Sequence, residues 1–473
     1  MSITDPACPA DLRPATAQIH AGREQRDPHR PVAVPIHQTA AYEFPDYATA
    51  RRMFALKEPG FTYTRTGNPT VATLERRLAA LDGGAAAVAT ATGQAAVALA
   101  LLALLQGGNH LVASAKLYGG TVDLLTDTFA DFGVTVTFVD PALPEQWAAA
   151  ATPGTRAFLV ESIGNPLSTL PDLSALAAAA HAAGVPLVVD NTLATPVLCR
   201  PLDFGADIVV YSATKYLGGH GTTLAGAVVD GGGFDFSAEP GKWPQIAGPK
   251  ARYGNESLWD RHGHGAYLAL LRSKYLHDLG PSLSPAAAAQ ILQGLETLDL
   301  RVDRHTGSAL RVAGHLAAHP AVASVHHPGV AGDPNGPIAG RDFPRGTGGV
   351  FSFDLALPAG ADAWEAVGAF IDSLRLVKLV ANIGDARSLV AHPAAMTHCR
   401  LTPAQRAAAG ISEATIRLSI GLEDPEDIIA DLDRALAALH AALHAAPHAG
   451  PGAAACSGDP ILSGAPARPG KAA

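Results

Sequence analysis

Apolar residues in this chain gather in short dense runs divided by turn residues, and the spacing of those runs predicts alternating helices and strands. A helical pattern over 71–81 leads through Gly83-Gly84 to a strand over 85–89, and Thr92-Gly93-Gln94 then opens an apolar helix reaching Leu105. Further strands are expected at 110–113, 134–139, 157–160, 185–189, 208–211 and 226–229, with helices such as 121–132 and 173–183 between several of them. Such alternation implies an α/β unit, a mostly parallel sheet covered by helices on both faces. Residues 231–265 break the rhythm with Gly, Pro and aromatic residues, and a long helical region follows with a break at Ser284-Pro285. Strands of a smaller α+β unit are read at 349–355, 371–376 and 415–420, and an amphipathic helix at 424–442. Up to residue 62 the chain is rich in Pro, His and Arg and reads as an arm lying over another surface, its first dozen residues a disordered leader. The expected division is an arm (1–62), a large α/β domain (63–270), a small α+β domain (271–446) and a tail (447–473). The tail's Ala, Gly, Pro and Ser cannot bury enough apolar surface to fold.

Composition narrows the class. A chain of 473 residues exceeds one compact core, in keeping with two domains. Apolar residues make up 48 % and charged ones 16 %, a globular balance. A net charge of −9 without a basic cluster argues against nucleic acid or an anionic membrane as partner. The longest apolar run, 95–105, is too short to span a bilayer, and residues 1–20 lack the apolar core of a signal peptide. Cys8, Cys199, Cys399 and Cys456 have no ligand-like spacing, which points to a reduced, cytoplasmic protein.

The chemistry is densest around two consecutive strands. One ends in Asp190, and the next ends in Ser212-Ala-Thr214-Lys215 before a glycine-rich loop. Open α/β sheets place ligands at the carboxyl ends of their strands. A lysine flanked by hydroxyls suits an imine with an aldehyde that carries a phosphate, and an aspartate suits the ring nitrogen of the same molecule. The pair therefore reads as a pyridoxal-phosphate (PLP) site. Burial and imine formation both remove the lysine's charge. Backbone N–H groups of Thr92-Gly93-Gln94 face a phosphate if the loop opens a helix, although strand–turn–helix with glycine is common and weak by itself. Ser212 and Thr214 can add hydroxyl donors, and Arg65 a bidentate charged contact. Tyr118 follows another strand and can stack on a ring or serve as an ordinary loop tyrosine. Arg417 alternates with apolar residues in a strand, where it is either a surface residue or a receptor for an amino-acid carboxylate. His262, His264, His326 and His327 lack the partners that would complete a tetrahedral metal site, so no metal is expected.

These motifs resemble the Cys/Met-metabolism PLP-dependent enzymes. The match runs from about Ile19 to Leu443 and includes Tyr63-Thr-Arg65-Thr-Gly-Asn-Pro-Thr70, Thr92-Gly-Gln-Ala-Ala96, Tyr118-Gly-Gly-Thr121 and Glu161-Ser-Ile-Gly-Asn165-Pro166. It continues through Asp190-Asn-Thr192, Ser212-Ala-Thr-Lys215, Gly384-Asp-Ala-Arg-Ser388 and Arg417-Leu-Ser-Ile-Gly421. The resemblance implies the aspartate-aminotransferase-like fold (fold type I) and a role for each position. Lys215 is expected to carry PLP and move protons, Asp190 to pair with the ring nitrogen, and Tyr118 to stack on the ring and protonate a leaving group. Gly93, Gln94, Ser212 and Thr214 are expected to hold the phosphate. Tyr63 and Arg65 are expected to reach it from a neighbouring subunit, making a homodimer or homotetramer with shared sites. Asn165, Ser388 and Arg417 are expected to hold the substrate's carboxylate and amine region.

Within the family the chain most resembles the branch that adds sulfide or a small thiol to O-acetylhomoserine by γ-replacement. Thr222 in Gly219-His-Gly-Thr222 stands where the cystathionine branches usually carry aspartate, and the 231–265 insertion resembles that of the sulfhydrylases. Ser212-Ala-Thr-Lys-Tyr216, His37 and Arg252-Tyr-Gly254 depart from the branch's usual wording. A cystathionine γ-synthase or a γ-lyase is the alternative, and a non-catalytic PLP-binding protein a remote one.

Overall fold

Seven strands form the central sheet of the computed structural model, which describes residues 12–23, 29–55 and 57–445. They are β1 (Ala86–Thr90), β2 (His110–Ser114), β3 (Thr135–Val139), β4 (Thr155–Glu161), β5 (Leu187–Asp190), β6 (Ile208–Tyr211) and β7 (Gly226–Asp230). Their order across the sheet is β1-β7-β6-β5-β4-β2-β3. Strands β3, β2, β4, β5 and β6 are parallel to their neighbours, while β7 runs antiparallel to both β6 and β1. Strands covered on both faces read as unbroken apolar runs, which accounts for Leu-Val-Val in β5 and Ile-Val-Val in β6. Val189 and Val209 pack into one layer with Leu74 and Leu78, and Val188 and Val210 into the other with Leu99 and Leu111.

Local chemistry sets the flanking helices. Helix Pro69–Asp82 is capped by the Asn68 side chain and stops at Gly83, whose φ of 74° suits a residue without Cβ. Helix Gly93–Leu102 is capped by Thr92 and ends three residues before the expected Leu105. It is apolar all round because the helical segment 266–276 that follows the insertion covers its outer side, the Tyr267 hydroxyl donating to the Ala100 carbonyl at 3.0 Å. Within the 231–265 insertion Phe234, Phe236 and Trp243 form an aromatic cluster that stacks on Tyr267, and Gln245 Nε2 donates to the Ala103 and Leu104 carbonyls. The expected helix at 121–132 is one helical run from Gly119 to Asp131 with a π-turn at Leu124–Thr128.

A second sheet of β8 (Val322–His326), β9 (Val350–Leu355), β10 (Lys378–Leu379), β11 (Leu389–Ala391) and β12 (Thr415–Ser419) has the order β10-β11-β12-β9-β8. The long helix Leu298–Ala317 joins the two units: Leu298 and Val302 lie in the large core, Ala309, Val312 and Leu316 in the small one. Ser284 caps helix Pro285–Leu295, which explains the break expected at Ser284-Pro285.

The expected strand at 371–376 is corrected. Residues up to Ser373 finish helix Ala363–Ser373, whose buried face is Ala366, Val367, Phe370 and Ile371. A short apolar run does not separate the two periods, and the Asp362 cap decides for the helix. The chain then turns onto Asp431, whose carboxylate accepts from the backbone N–H groups of Arg375, Leu376 and Val377. Strands β8, β10 and β11 went unread because they are short or lack alternation. In the arm, helix Pro14–His20 packs on the chain's own large domain, with Arg77 Nε donating to the Ala21 carbonyl at 3.0 Å. The expected leader and tail, with Cys8 and Cys456, lie outside the described residues. No helix of the described residues is long and apolar enough to cross a membrane, and no group of three or more His, Cys, Asp or Glu among them could hold a metal.

Candidate active site

The carboxyl ends of β4, β5 and β6 bring the predicted groups together. Glu161 at the end of β4 is the register partner of Asp190 at the end of β5. Asp190 Oδ1 accepts from the Thr192 N–H at 3.0 Å, and burial pushes its carboxyl upward. Glu161 is pushed upward too, by burial and then by Asp190. Its Oε1 accepts from the Tyr118 N–H at 2.6 Å and its Oε2 from the Asn165 N–H at 3.2 Å. Two adjacent buried carboxyls resist ionising together. A cation placed against Asp190 relieves that, as a protonated ring nitrogen does.

Lys215 follows β6 in a half-buried turn. Burial, then the nearby charge of Arg417, pulls its amine down to about 8, so a useful fraction is neutral and nucleophilic near neutral pH. Its Nζ donates to Asn382 Oδ1 at 2.5 Å. Gly93 lies flush with Ser212, where an added Cβ would come within 2.6 Å of the Ser212 Cα. The start of a helix and the Ser212 hydroxyl thus wall one small cradle, which only glycine at 93 leaves open. Gln94 Nε2 donates to the Gly120 carbonyl at 2.8 Å. The Thr214 hydroxyl is engaged with the backbone of Ala225 as both donor and acceptor. Tyr118 stands at the entrance, 42 % exposed, its ring over Gly120. Tyr63 and Arg65 are exposed, with Arg65 Cζ 5.6 Å from the Tyr63 ring centroid. Within the chain neither bonds to Ser212, Thr214 or Lys215.

Arg417 comes from β12, paired with Ser352 of β9 and Ala391 of β11. It is buried at 3 % exposure. Nη1 donates to Asn165 Oδ1 at 3.3 Å and Nη2 to the Asn382 carbonyl at 3.1 Å, while Nε is buried without a partner. Burial pulls the guanidinium down to about 10. A buried cation served only by neutral oxygens is a ready carboxylate receptor. The Ser388 hydroxyl is committed elsewhere: it donates to Glu423 Oε2 at 2.8 Å and accepts from the Gly421 N–H. Sequence reading left Glu161, Thr192 and Asn382 without roles. Glu161 and Thr192 stood inside quoted motifs, but their polar contacts exist only once separate strands meet.

A sequence profile of the Cys/Met metabolism PLP-dependent enzymes matches residues 15–437. The chain belongs to that family. An O-acetyl-L-homoserine sulfhydrylase of Leptospira meyeri is 44 % identical over 437 residues, covering 90 % of this chain and 97 % of the relative. A Campylobacter jejuni structure described as an O-acetylhomoserine (thiol)-lyase superposes with a TM-score of 0.86 at 33 % identity, over 90 % of this chain and all of its own. That structure carries N'-pyridoxyl-lysine-5'-monophosphate. A Xanthomonas oryzae cystathionine γ-synthase superposes with a TM-score of 0.77 at 34 % identity, over 91 % of this chain and 99 % of its own. The fold type I expectation and the PLP expectation both stand, and the residues here fit the cofactor. A depressed lysine, a carboxylate needing a cation and a glycine-walled cradle lie at the carboxyl ends of the strands of one sheet.

Proposed function

We propose that this PLP-dependent enzyme converts O-acetyl-L-homoserine and sulfide, or a small thiol, to L-homocysteine, or the matching thioether, and acetate, working in the cytoplasm. The observation that carries the amino-acid half is the buried, carboxylate-free guanidinium of Arg417 beside Lys215. Thr222, the 231–265 insertion and the name of the Leptospira meyeri relative support the branch.

In this reading Arg417 and Asn165 hold the substrate carboxylate, and Ser388, bonded through its hydroxyl and N–H to Glu423, steadies that side from behind. Bound PLP supplies an electron sink for charge developing on the substrate's carbons. Lys215 would anchor the cofactor, and its amine would take the α-proton and move protons at the β-carbon. Asp190 holds the ring nitrogen protonated. Tyr118 stacks on the ring and gives a proton to the departing acetate. Gly93, Gln94, Ser212 and Thr214 hold the phosphate. Tyr63 and Arg65 complete that cradle from a second subunit in a dimer or tetramer. Their exposure, and that of Val32 (88 %), Tyr47 (83 %) and Phe54 (72 %) nearby in the arm, supports such an interface.

The choice of nucleophile tests the branch. Cysteine brings a second carboxylate, and Arg417 is already matched by the first substrate. A site with one receptor should favour sulfide over cysteine by about a hundredfold in kcat/KM, the scale of one missing contact to a charged group. Cystathionine formed faster than homocysteine in a direct competition would make the enzyme a γ-synthase instead. Mixing Arg65→Ala with Lys215→Ala should restore partial activity through hybrid sites. Mixed oligomers without recovered activity would refute the sharing.

A further inference from the structure

Two hydrogen bonds from opposite sides of the site meet at Asn382. Its side-chain Oδ1 accepts from Lys215 Nζ at 2.5 Å, and its backbone carbonyl accepts from Arg417 Nη2 at 3.1 Å. The lysine follows β6 of the large sheet and the arginine lies on β12 of the small one, so one residue touches both the amine and the carboxylate receptor. The turn that carries Asn382 is fixed from several directions. The Gly384 N–H donates to Ser419 Oγ on β12 at 3.0 Å. Gly384, at φ 67°, lies so close to Tyr216 that an added Cβ would sit 2.8 Å from the Tyr216 nitrogen, one residue past Lys215. Gly221, at φ 65°, abuts the Asp385 carboxylate in the same way. The Asn382 amide is therefore a placed group.

We propose that Asn382 is a positioning residue that holds the Lys215 amine in line with the substrate's α- and β-carbons whenever that amine is not bonded to the cofactor. The inference rests on reading Lys215 as the proton carrier. During transfer, the lone pair of Nζ takes the α-proton, the C–H electron pair stays with the substrate, and an N–H of the new ammonium remains on Asn382 Oδ1. The same ammonium later gives up its proton at carbon. No oxidant or reductant takes part. An amide oxygen suits this task because it only accepts, serving amine and ammonium alike without competing for the moving proton. A carboxylate in its place would hold the lysine protonated. The backbone carbonyl keeps Arg417 aligned whatever the side chain, which separates the two duties.

The test uses the full-length enzyme with Asn382→Ala and Asn382→Asp. Loss of one hydrogen bond to a charged amine predicts an approximately tenfold or greater fall in kcat for Asn382→Ala, with KM within about threefold of the parent. Exchange of the α-hydrogen of L-norvaline, which has no leaving group, for deuterium should fall by the same factor. A readout independent of turnover is the pH midpoint at which an amine-reactive reagent labels Lys215, measured by peptide mass in enzyme freed of PLP. Asn382→Asp should raise that midpoint by about one unit or more through its carboxylate, and Asn382→Ala should lower it. Unchanged kcat and labelling midpoints in both variants would overturn the proposal. So would a large rise in KM at constant kcat, which would make Asn382 part of the carboxylate receptor alone. If Asn382→Ala fails to fold, the near-isosteric Asn382→Asp and its labelling midpoint still decide. Lys215→Ala run alongside separates the two levels, because an active Lys215→Ala enzyme defeats the underlying assignment instead.

Discussion

Replacing Arg417 with methionine should weaken catalysis strongly and leave the fold intact, and the two effects have one cause. The guanidinium donates to Asn165 Oδ1 and the Asn382 carbonyl, keeps Nε unpartnered, and pairs with no carboxylate among the described residues. In the empty enzyme its burial is a cost, visible as the fall of its pKa to about 10. Methionine removes that cost and leaves two neutral acceptors short of a donor, about 1 kcal/mol each. Replacing a buried charge by an apolar side chain of similar length offsets this by about 1–4 kcal/mol. The melting temperature of substrate-free Arg417→Met should therefore stay close to the parent's or rise, the net lying between a loss of about 1 and a gain of about 2 kcal/mol. Substrate binding reverses the sign, since a carboxylate carried into the site loses its partner, about 3–5 kcal/mol. At about 1.36 kcal/mol per factor of ten, kcat/KM should fall by about two to nearly four powers of ten. Steady-state kinetics with O-acetylhomoserine and calorimetry on the same preparations give both numbers. Arg417→Met with kcat/KM within tenfold of the parent and a markedly lower melting temperature would show a purely structural arginine.

Two other outcomes follow from buried geometry. Gly93→Ala would press a methyl against the Ser212 backbone, so it should retain less PLP at a fixed concentration, read as lost visible absorbance. It should also lower the melting temperature of the PLP-free chain, since the overpacking costs about 1–3 kcal/mol. Asp82, bonded to the Tyr211 hydroxyl at 2.6 Å, is raised by burial to about 7, above its unfolded value of 3.8. Its protonated form stabilises the fold, fully below the unfolded value, and that contribution is lost as pH rises towards about 7. The buried His305, His327 and His398, each lowered to about 4, act in the opposite sense between about 4 and 6.5. The difference between parent and Asp82→Asn isolates the aspartate: between pH 5 and 8 the parent should lose more stability than the variant, and parallel curves would refute the assignment.

The large sheet was legible because most of its strands are dense apolar runs closed by a polar residue, and for β4, β5 and β6 those closing residues are Glu161, Asp190 and Ser212. Periodicity located them and topology made them neighbours. Legibility fell where local pattern and tertiary packing disagree. Ile371 sits in an apolar run of strand length and belongs to a helix capped by Asp362. Lys378 and Leu379 form an exposed strand too short to show a period. The same limit hid Asn382. Nothing in its neighbours marks it as polar chemistry, and its importance arises when a turn of the small domain is wedged between Tyr216 and Ser419. Ser388 shows the converse: a residue marked by resemblance has its hydroxyl committed to Glu423 and Gly421.

The charges of the site also suggest how binding prepares the base. Lys215 is held down first by burial and then by the positive charge of Arg417. In the empty enzyme this favours the neutral amine that bonds to the cofactor. A carboxylate bound on Arg417 would cancel the second influence, and on the proposed roles the lysine would become more basic when it is to accept the α-proton. On the proposed roles the arginine would both hold the substrate and let its arrival strengthen the base, a differential effect that acts on the reacting state. The substitution that removes the arginine charge permanently should reproduce this without substrate. In Arg417→Met freed of PLP, the pH midpoint for labelling Lys215 should rise above the parent's, because one of its two lowering influences is gone while burial remains. In the parent, a non-reacting carboxylate such as propionate should move the midpoint the same way, and it should do nothing in the variant. A midpoint unmoved by both changes would show that the Arg417 charge does not reach the lysine and that burial alone sets its basicity.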